Sequence, residues 1–243
     1  MERGLFIAAS GMLAAQIRQD VIANNLANAT NPGFKREVLS QTAFGDLLLS
    51  NTQTGDQIGP LSLGTQITTI KPSPSNNGFR WTQNTLDLAI GGNGFFAVQT
   101  DQGVSYTRNG AFTTDQNGFL ITAQGDKVLG KDGQPLDLSG GGRISIARTG
   151  EIRVGNRLAG TVAVVALDPD SLRKLGGNYL SGTVDAGAKV GAVAQGALET
   201  SNVNTVTEMV ALIENMREFE ADQKVIRALD DTLGGAVNQV GRV

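Results

Sequence analysis

Few residues in this chain could do chemistry, and their spacing argues against most reactions. Gly92-Asn93-Gly94-Phe95-Phe96-Ala97 fits the pattern G-x-G-x-x-A. A dinucleotide site needs a helix N-terminus after the glycines to receive the pyrophosphate. Phe95 to Val98 reads instead as a strand, so the expectation is a tight turn between strands. Asp115-Gln116-Asn117-Gly118 opens like a calcium loop, but the downstream glutamate and flanking helices are missing. A hairpin turn accounts for it. Asp168-Pro169-Asp170 fits a turn after a strand. Asp230-Asp231 falls on the polar face of a predicted helix, where solvated charge is the default.

Composition narrows the field further. The chain has 243 residues, no histidine and no cysteine. Serine–histidine triads, histidine zinc sites, thiolate nucleophiles and disulfides are therefore excluded. No cofactor and no metal is expected. A formal net charge of −3, with Lys35-Arg36 as the nearest thing to a basic run, gives nothing to recruit nucleic acid or anionic lipid. No apolar run approaches the ~20 residues of a membrane span, so no membrane insertion is expected. Met1 to Gln16 faintly resembles a secretory signal, but Glu2 offsets Arg3 and helical character continues past the apolar part. An uncleaved N-terminal helix is the expectation.

Glycine placement divides the chain. Of 32 glycines, 21 lie between Gly91 and Gly196, and none lies between Ala197 and Leu233. Glycine is costly inside helices and useful in turns, so the middle reads as strands and turns. From Trp81 to Leu180, Leu86, Leu88 and Ile90 alternate. Turn signals recur at Asn93-Gly94, Asp101-Gln102-Gly103, Asn109-Gly110, Asn117-Gly118, Asp132-Gly133 and Thr149-Gly150. That spacing predicts antiparallel hairpins. Residues 36–80 hold Pro60, Pro72 and Pro74 among polar residues. They read as an extended connector with one or two short strands, such as Thr65 to Ile70.

Both chain ends read as helices. From Arg3 to about Ala29, Leu5, Ala8, Met12, Ala15, Ile22, Leu26 and Ala29 recur in steps of three and four, interrupted at Gln19. Asn31-Pro32-Gly33 then stops the helix. From Thr205 to about Leu233, Thr205 and Glu208 have capping-box spacing. Val206, Met209, Ile213 and Met216 follow one seam. Phe219, Ile226, Leu233 and Val240 follow another, joined by Leu229 and Ala236, as though the repeat shifts after Met216. A long helix with a narrow seam needs a partner of comparable length. The natural partners are the opposite terminal helix and the same helices of neighbouring copies, a contact that propagates into a tube when the rotation does not close.

The same residues carry a family resemblance. Asn24-Asn25-Leu26-Ala27-Asn28 followed by Gly33-Phe34-Lys35 resembles the N-terminal signature of bacterial flagellar rod and hook proteins, as does Ala9-Ser10-Gly11-Met12 upstream. Leu86-Asp87-Leu88-Ala89-Ile90 with Gly92, Gly94, Phe95 and Phe96 is similar to their central block, and Tyr106 to Phe112 extends it. Leu198-Glu199-Thr200-Ser201-Asn202-Val203-Asn204 and Glu208-Met209-Val210 resemble the C-terminal signature, continued by Arg217-Glu218-Phe219-Glu220 and Lys224. The blocks occur in family order over nearly the whole chain. The connector after Lys35 is shorter than in the distal-rod branch of the family, and the Gly125 to Gly130 block and the tail Val237 to Val243 look more like the proximal-rod branch.

The resemblance implies an α+β fold in which long N- and C-terminal helices pair as a coiled coil around a tube and a mainly antiparallel β domain lies outside. The segments expected are 1–35 (N-terminal helix), 36–80 (connector), 81–200 (β domain) and 201–243 (C-terminal helix). It implies a structural subunit of the basal-body rod, exported by the flagellar type III apparatus without cleavage and assembled with copies of itself and other rod and hook proteins in the periplasm or cell envelope. Leu5, Met12, Ile22, Leu26, Val206, Met209, Ile213, Met216, Phe219, Ile226, Leu229 and Leu233 are expected to carry helix packing and assembly. Asn24, Asn25, Asn28, Gly33, Phe34, Ser201, Asn202 and Val203 are the motif residues. Asn24, Asn25 and Asn28 are expected to bond backbone near the helix end and neighbouring subunits; simple helix termination is the competing role. The rival classes are a carboxylate-dependent cell-wall hydrolase, which needs two carboxylates about 5–9.5 Å apart, and a closed coiled-coil adaptor.

Overall fold

The computed structural model describes residues 2–50 and 57–240. Met1, residues 51–56 of the connector and residues 241–243 of the tail lie outside the described residues, as does the side chain of Val240 at the end of the second seam. The fold is α+β: one helix at each end and a sheet-rich middle whose strand pairs are antiparallel. The chain divides into two compact units. One comprises the N-terminal segment to Ala27, Glu37–Ile70 and the segment from Asn204 onward; the other comprises Asn28–Arg36 and Lys71–Val203.

In the helical unit, α1 spans Glu2–Ala27 and α2 spans Thr205–Val240. Thirty-six residues at 1.5 Å each make α2 about 54 Å long. The expected stop near Leu233 is overrun: Gly234 and Gly235 are carried inside the helix. The expected cap is also displaced. Asn204 is the N-cap, its Oδ1 accepting from the backbone N of Val206 and Thr207 at 3.0 and 3.2 Å. Thr205 is thus the first helical residue and no capping box forms. Asparagine outranks threonine at this position, and the Glu208 carboxylate lies within reach of Asn25 instead.

α1 and α2 run antiparallel. Leu229 approaches Gly4, Asp222 approaches Gly11, Asn215 bonds Ala15, Glu218 pairs with Arg18, and Glu208 meets Asn25. Residues 37–72 hold more strand than the polar sequence suggested. Glu37–Ala43 pairs with Thr65–Pro72, and Asp46–Ser50 pairs with Gln57–Ser62. Ser10 Oγ accepts from the backbone N of Thr65, which ties α1 to this arm.

In the β unit, Phe95–Thr100 is the central strand. It pairs with Gly103–Thr107 through the turn at Asp101-Gln102, and with Lys127–Val128 and Val164–Val165. Leu88, Ile90, Phe96, Val98, Phe112, Leu120, Val128, Ile152, Val162 and Val193 form the main core. Phe96 and Phe112 meet edge to face at 5.2 Å. Positive φ at Gly118 and Gly150 suits the expected turns there. Two expected hairpins do not form: the strands flanking Asn93-Gly94 pair with other strands and not with each other, and Asn109-Gly110 is not a hairpin turn. A Cβ on Gly110 would sit 1.7 Å from the Leu88 carbonyl oxygen. The position needs glycine because two backbones cross, a requirement that looks like a turn in sequence.

Candidate functional site: two helix faces and a buried charge clasp

The chemical motifs resolve as turns. Gly92 to Gly94 joins Leu88–Gly91 to the strand Phe95–Thr100, with no helix following. The carbonyls of Gly92 and Gly94 accept from Arg108, so these glycines serve the fold. Asp115 Oδ1 accepts from the backbone N of Asn117 and Phe119, a side-chain-closed turn. Asp168 Oδ1 does the same for Asp170, and Asp230 and Asp231 are exposed. A cavity of about 600 Å³ lies in the β unit between Ser73–Asn76, Phe95, Arg108 and Leu172. Asp185 is its single carboxylate. The fully buried Glu199 is bonded to cations, and Asp87 accepts from Thr82 and Asn84. No hydrolytic carboxylate pair is assembled among these groups.

The helical unit presents two kinds of face. The face of α1 turned to α2 carries Gly4, Ala8, Gly11, Ala15, Arg18, Ile22 and Asn25. The matching face of α2 carries Glu208, Leu212, Asn215, Phe219, Asp222, Ile226 and Leu229, in unbroken steps of four and three. The apparent shift in the repeat after Met216 is therefore a crossing between two stripes. The stripe facing α1 starts with the polar residues Glu208 and Asn215, which an apolar count skips. The stripe Val206, Met209, Ile213 and Met216 lies exposed, with Val210 beside it. Phe219, Ile226 and Leu229 are half-buried, and Leu233 is exposed. On α1, Ile22 is buried, Met12 and Leu26 are half-buried, and Leu5 is exposed beside Phe6 and Ile7.

Polar groups inside the helix pair are held closely. Asn25 is 1% exposed and behaves like a neighbouring strand toward Glu37: its Oδ1 accepts from the Glu37 backbone N at 2.8 Å, and its Nδ2 donates to the Glu37 carbonyl at 3.0 Å. Its Nδ2 also lies 3.4 Å from Glu208 Oε2. Asn24 is exposed, and Asn28 Oδ1 accepts from Asn31 Nδ2. Burial first, and the charge of Glu218 second, push the Asp222 carboxyl above the usual carboxylate range.

Within the β unit, three segments far apart in sequence converge on one buried carboxylate. Glu199 Oε1 accepts from Lys35 Nζ at 2.9 Å, and Glu199 Oε2 accepts from Arg108 Nε. All three side chains are nearly solvent-free. The Lys35 ammonium also donates to the Ser75 carbonyl at 2.8 Å and to Asn76 Oδ1 at 3.0 Å. Burial lowers the Lys35 pKa, while the bond and charge of Glu199 pull it back. Arg108 spends its remaining donors on the carbonyls of Ile90, Gly92 and Gly94 and on Asn76.

The motif residues surround this clasp. The Gly33 backbone N donates to the Glu199 carbonyl at 2.8 Å. Phe34 is buried with Lys174 Nζ 4.2 Å from its ring centre. Asn202 Oδ1 accepts from the Arg36 backbone N at 2.6 Å, and its Nδ2 donates to Ser75. Ser201 is buried, its Oγ accepting from the Val203 backbone N at 3.3 Å. Lys35, Arg108 and Glu199 lie inside three separate motif blocks, where nothing local marks them as partners. Their opposite charges in separate blocks were the available clue, but pairing across 164 and 91 residues is a tertiary fact.

Long exposed apolar helix faces and a β unit locked by internal ion pairs are the features of a structural class of protein. Comparison with known sequences makes this specific. Residues 5–35 match the family described as "Flagella basal body rod protein", 89–156 the "Flagellar hook protein FlgE/F/G D1 domain", and 194–239 the "Flagellar basal body rod FlgEFG protein C-terminal". The chain is 33% identical to the flagellar basal-body rod protein FlgG of Bacillus subtilis, over 98% of this chain and 99% of that one. It is 30% identical to the rod protein FlgF of Caulobacter vibrioides over the full length of both. It is 29% identical to the hook-basal body complex protein FlhO of Bacillus subtilis, again over all of both chains. The chain belongs to the flagellar basal-body rod protein family, and is a structural protein rather than an enzyme.

Proposed function

We propose that this chain is a rod subunit that self-assembles into a hollow helical tube and transmits torque, with its terminal helices forming the inner coiled-coil layer. The observation that carries the reading is the exposure of large apolar side chains along both helices: Leu5, Phe6, Ile7 and Leu13 on α1, and Val206, Met209, Val210, Ile213 and Met216 on α2. Burying each of the larger ones against a neighbouring copy contributes about 1.5–3 kcal/mol. Together with Met12, Ile22, Leu26, Phe219, Ile226, Leu229 and Leu233, they form the packing and assembly set. Long helices packed along a tube axis resist bending because each has many packed atoms along its length.

The reading takes the terminal helices, which lie within 1–35 and 201–243, as the inner layer, 36–80 as connector and 81–200 as outer domain. Other rod and hook proteins are its neighbours. The flagellar type III apparatus exports it uncleaved, and the rod it joins crosses the periplasm or cell envelope. The proximal position, that of FlgF, is favoured over that of FlgG by the short connector, the Gly125–Gly130 block and the tail. No helix among the described residues is long and apolar enough to cross a membrane.

Ile213→Asp tests the reading. Sedimentation and electron microscopy under assembly conditions should show tubes for the unsubstituted chain and none for the variant, while the β unit melts unchanged. Normal tubes from the variant would refute the proposed helix contacts. A closed small oligomer from the unsubstituted chain would favour the adaptor instead.

A further inference from the structure

The seam between α1 and α2 mixes apolar residues such as Ala15, Ile22, Phe219 and Ile226 with an unusual number of polar ones. Large apolar side chains, such as Leu5, Phe6 and Leu13 on α1 and Val206, Met209 and Ile213 on α2, lie on faces the pair leaves exposed. The inward face carries Gly4, Gly11, Arg18 and Asn25 at seven-residue intervals on α1, and Glu208, Asn215 and Asp222 at the same interval on α2. Rotating either helix to bury its outer stripe would remove more apolar surface from water. Apolar burial therefore does not select the observed arrangement, and something must penalise the alternatives.

The buried polar groups supply that penalty. Asn215 is 2% exposed; its Nδ2 donates to the Ala15 carbonyl at 2.8 Å, while its buried Oδ1 has no hydrogen-bond partner among the described residues. A half-satisfied buried amide weakens the seam relative to leucine. Glu208 and Asn25 are each 1% exposed and meet at the opposite end of the seam. A slip of one turn, about 5.4 Å, would carry the Glu208 carboxylate away from Asn25 and the Asn215 amide away from the Ala15 carbonyl while both stay buried. We propose that Asn215 with the Ala15 carbonyl, and Glu208 with Asn25, form a register key. The key lowers the stability of the helix pair and fixes the slide and rotation that keep the apolar stripes facing outward. Single polar residues at seam positions act in this way by penalising competing alignments.

Disulfide trapping in the dilute, full-length chain tests this, since no native cysteine interferes. Gly4→Cys with Leu229→Cys reports the native register; Gly4→Cys with Val225→Cys or Leu233→Cys reports slips of one turn. Disulfide closure falls off steeply with Cα separation and a Gly4 Cβ would lie against the Leu229 side chain, so the first pair should close faster than either slipped pair in the otherwise native chain. Adding Asn215→Leu and Glu208→Leu should raise the melting temperature of the helical unit by about 3 °C or more and let the slipped pairs close. Asn25 keeps its two bonds to Glu37 in that variant. Retained selectivity, a lower melting temperature or failure of the native pair to close would each overturn the proposal. Scoring at dilution keeps the result independent of tube formation.

Discussion

A Cβ placed on Gly33 would lie 2.4 Å from the carbonyl carbon of Arg108, and Gly33 itself sits at φ +67°. Glycine is required twice at this position, once by its own backbone and once by the neighbour's. The contact is backbone against backbone, so no side chain can swing away to relieve it. Gly33→Ala should destabilise the β unit by about 3 kcal/mol, combining left-handed strain and overpacking. A chemical denaturation midpoint for the β unit within error of the unsubstituted chain would refute this.

Glu199 is one carboxylate shared by two buried cations, Lys35 and Arg108. Removing one member of a buried ion cluster costs about 3–5 kcal/mol, because the remaining charge has no compensation. Glu199→Gln should therefore destabilise the β unit more than either Lys35→Met or Arg153→Met, the last removing only an exposed pair with Glu151. Thermal unfolding of the three variants gives the ranking. Equal losses from Glu199→Gln and Arg153→Met would show that the clasp contributes no more than a surface pair.

The Tyr179 hydroxyl is held by Thr122, Gln124 and Asp126. Burial first, and the Asp126 bond second, push it up to about 12. The folded state thus holds this proton more tightly than the unfolded chain, where tyrosine titrates near ~10. The resulting stability is fully present below about pH 10 and is lost as pH rises toward about 12. Tyr179→Phe should be less stable at neutral pH, and the gap to the unsubstituted chain should narrow between those pH values. Parallel denaturation midpoints for the two proteins across that window would contradict the assignment.

Much of the fold is legible because local rules act on few residues at a time. Glycine density marked the β region, and the three-and-four periodicity marked both helices; these are backbone preferences that no distant contact overrode. The family blocks identified the class because they sample the entire chain. Legibility ended where a position answers to a partner far away in sequence. Gly110 reads as a turn and is a backbone crossing with Leu88; Thr205 reads as a cap and is displaced by Asn204.

The sequence alone determined that α2 carries two apolar stripes, since side-chain order around a helix follows from its 3.6-residue period. It did not determine which stripe faces α1. Tertiary structure decided that through Glu208 and Asn215, polar residues that hydrophobicity assigns to solvent and that bury only because Asn25 and the Ala15 carbonyl meet them. Likewise, the charges of Lys35, Arg108 and Glu199 were plain in the chain, but their convergence depends on folding three distant segments together. Hydrogen bonding between remote groups has no period, and so leaves no pattern along the chain to read.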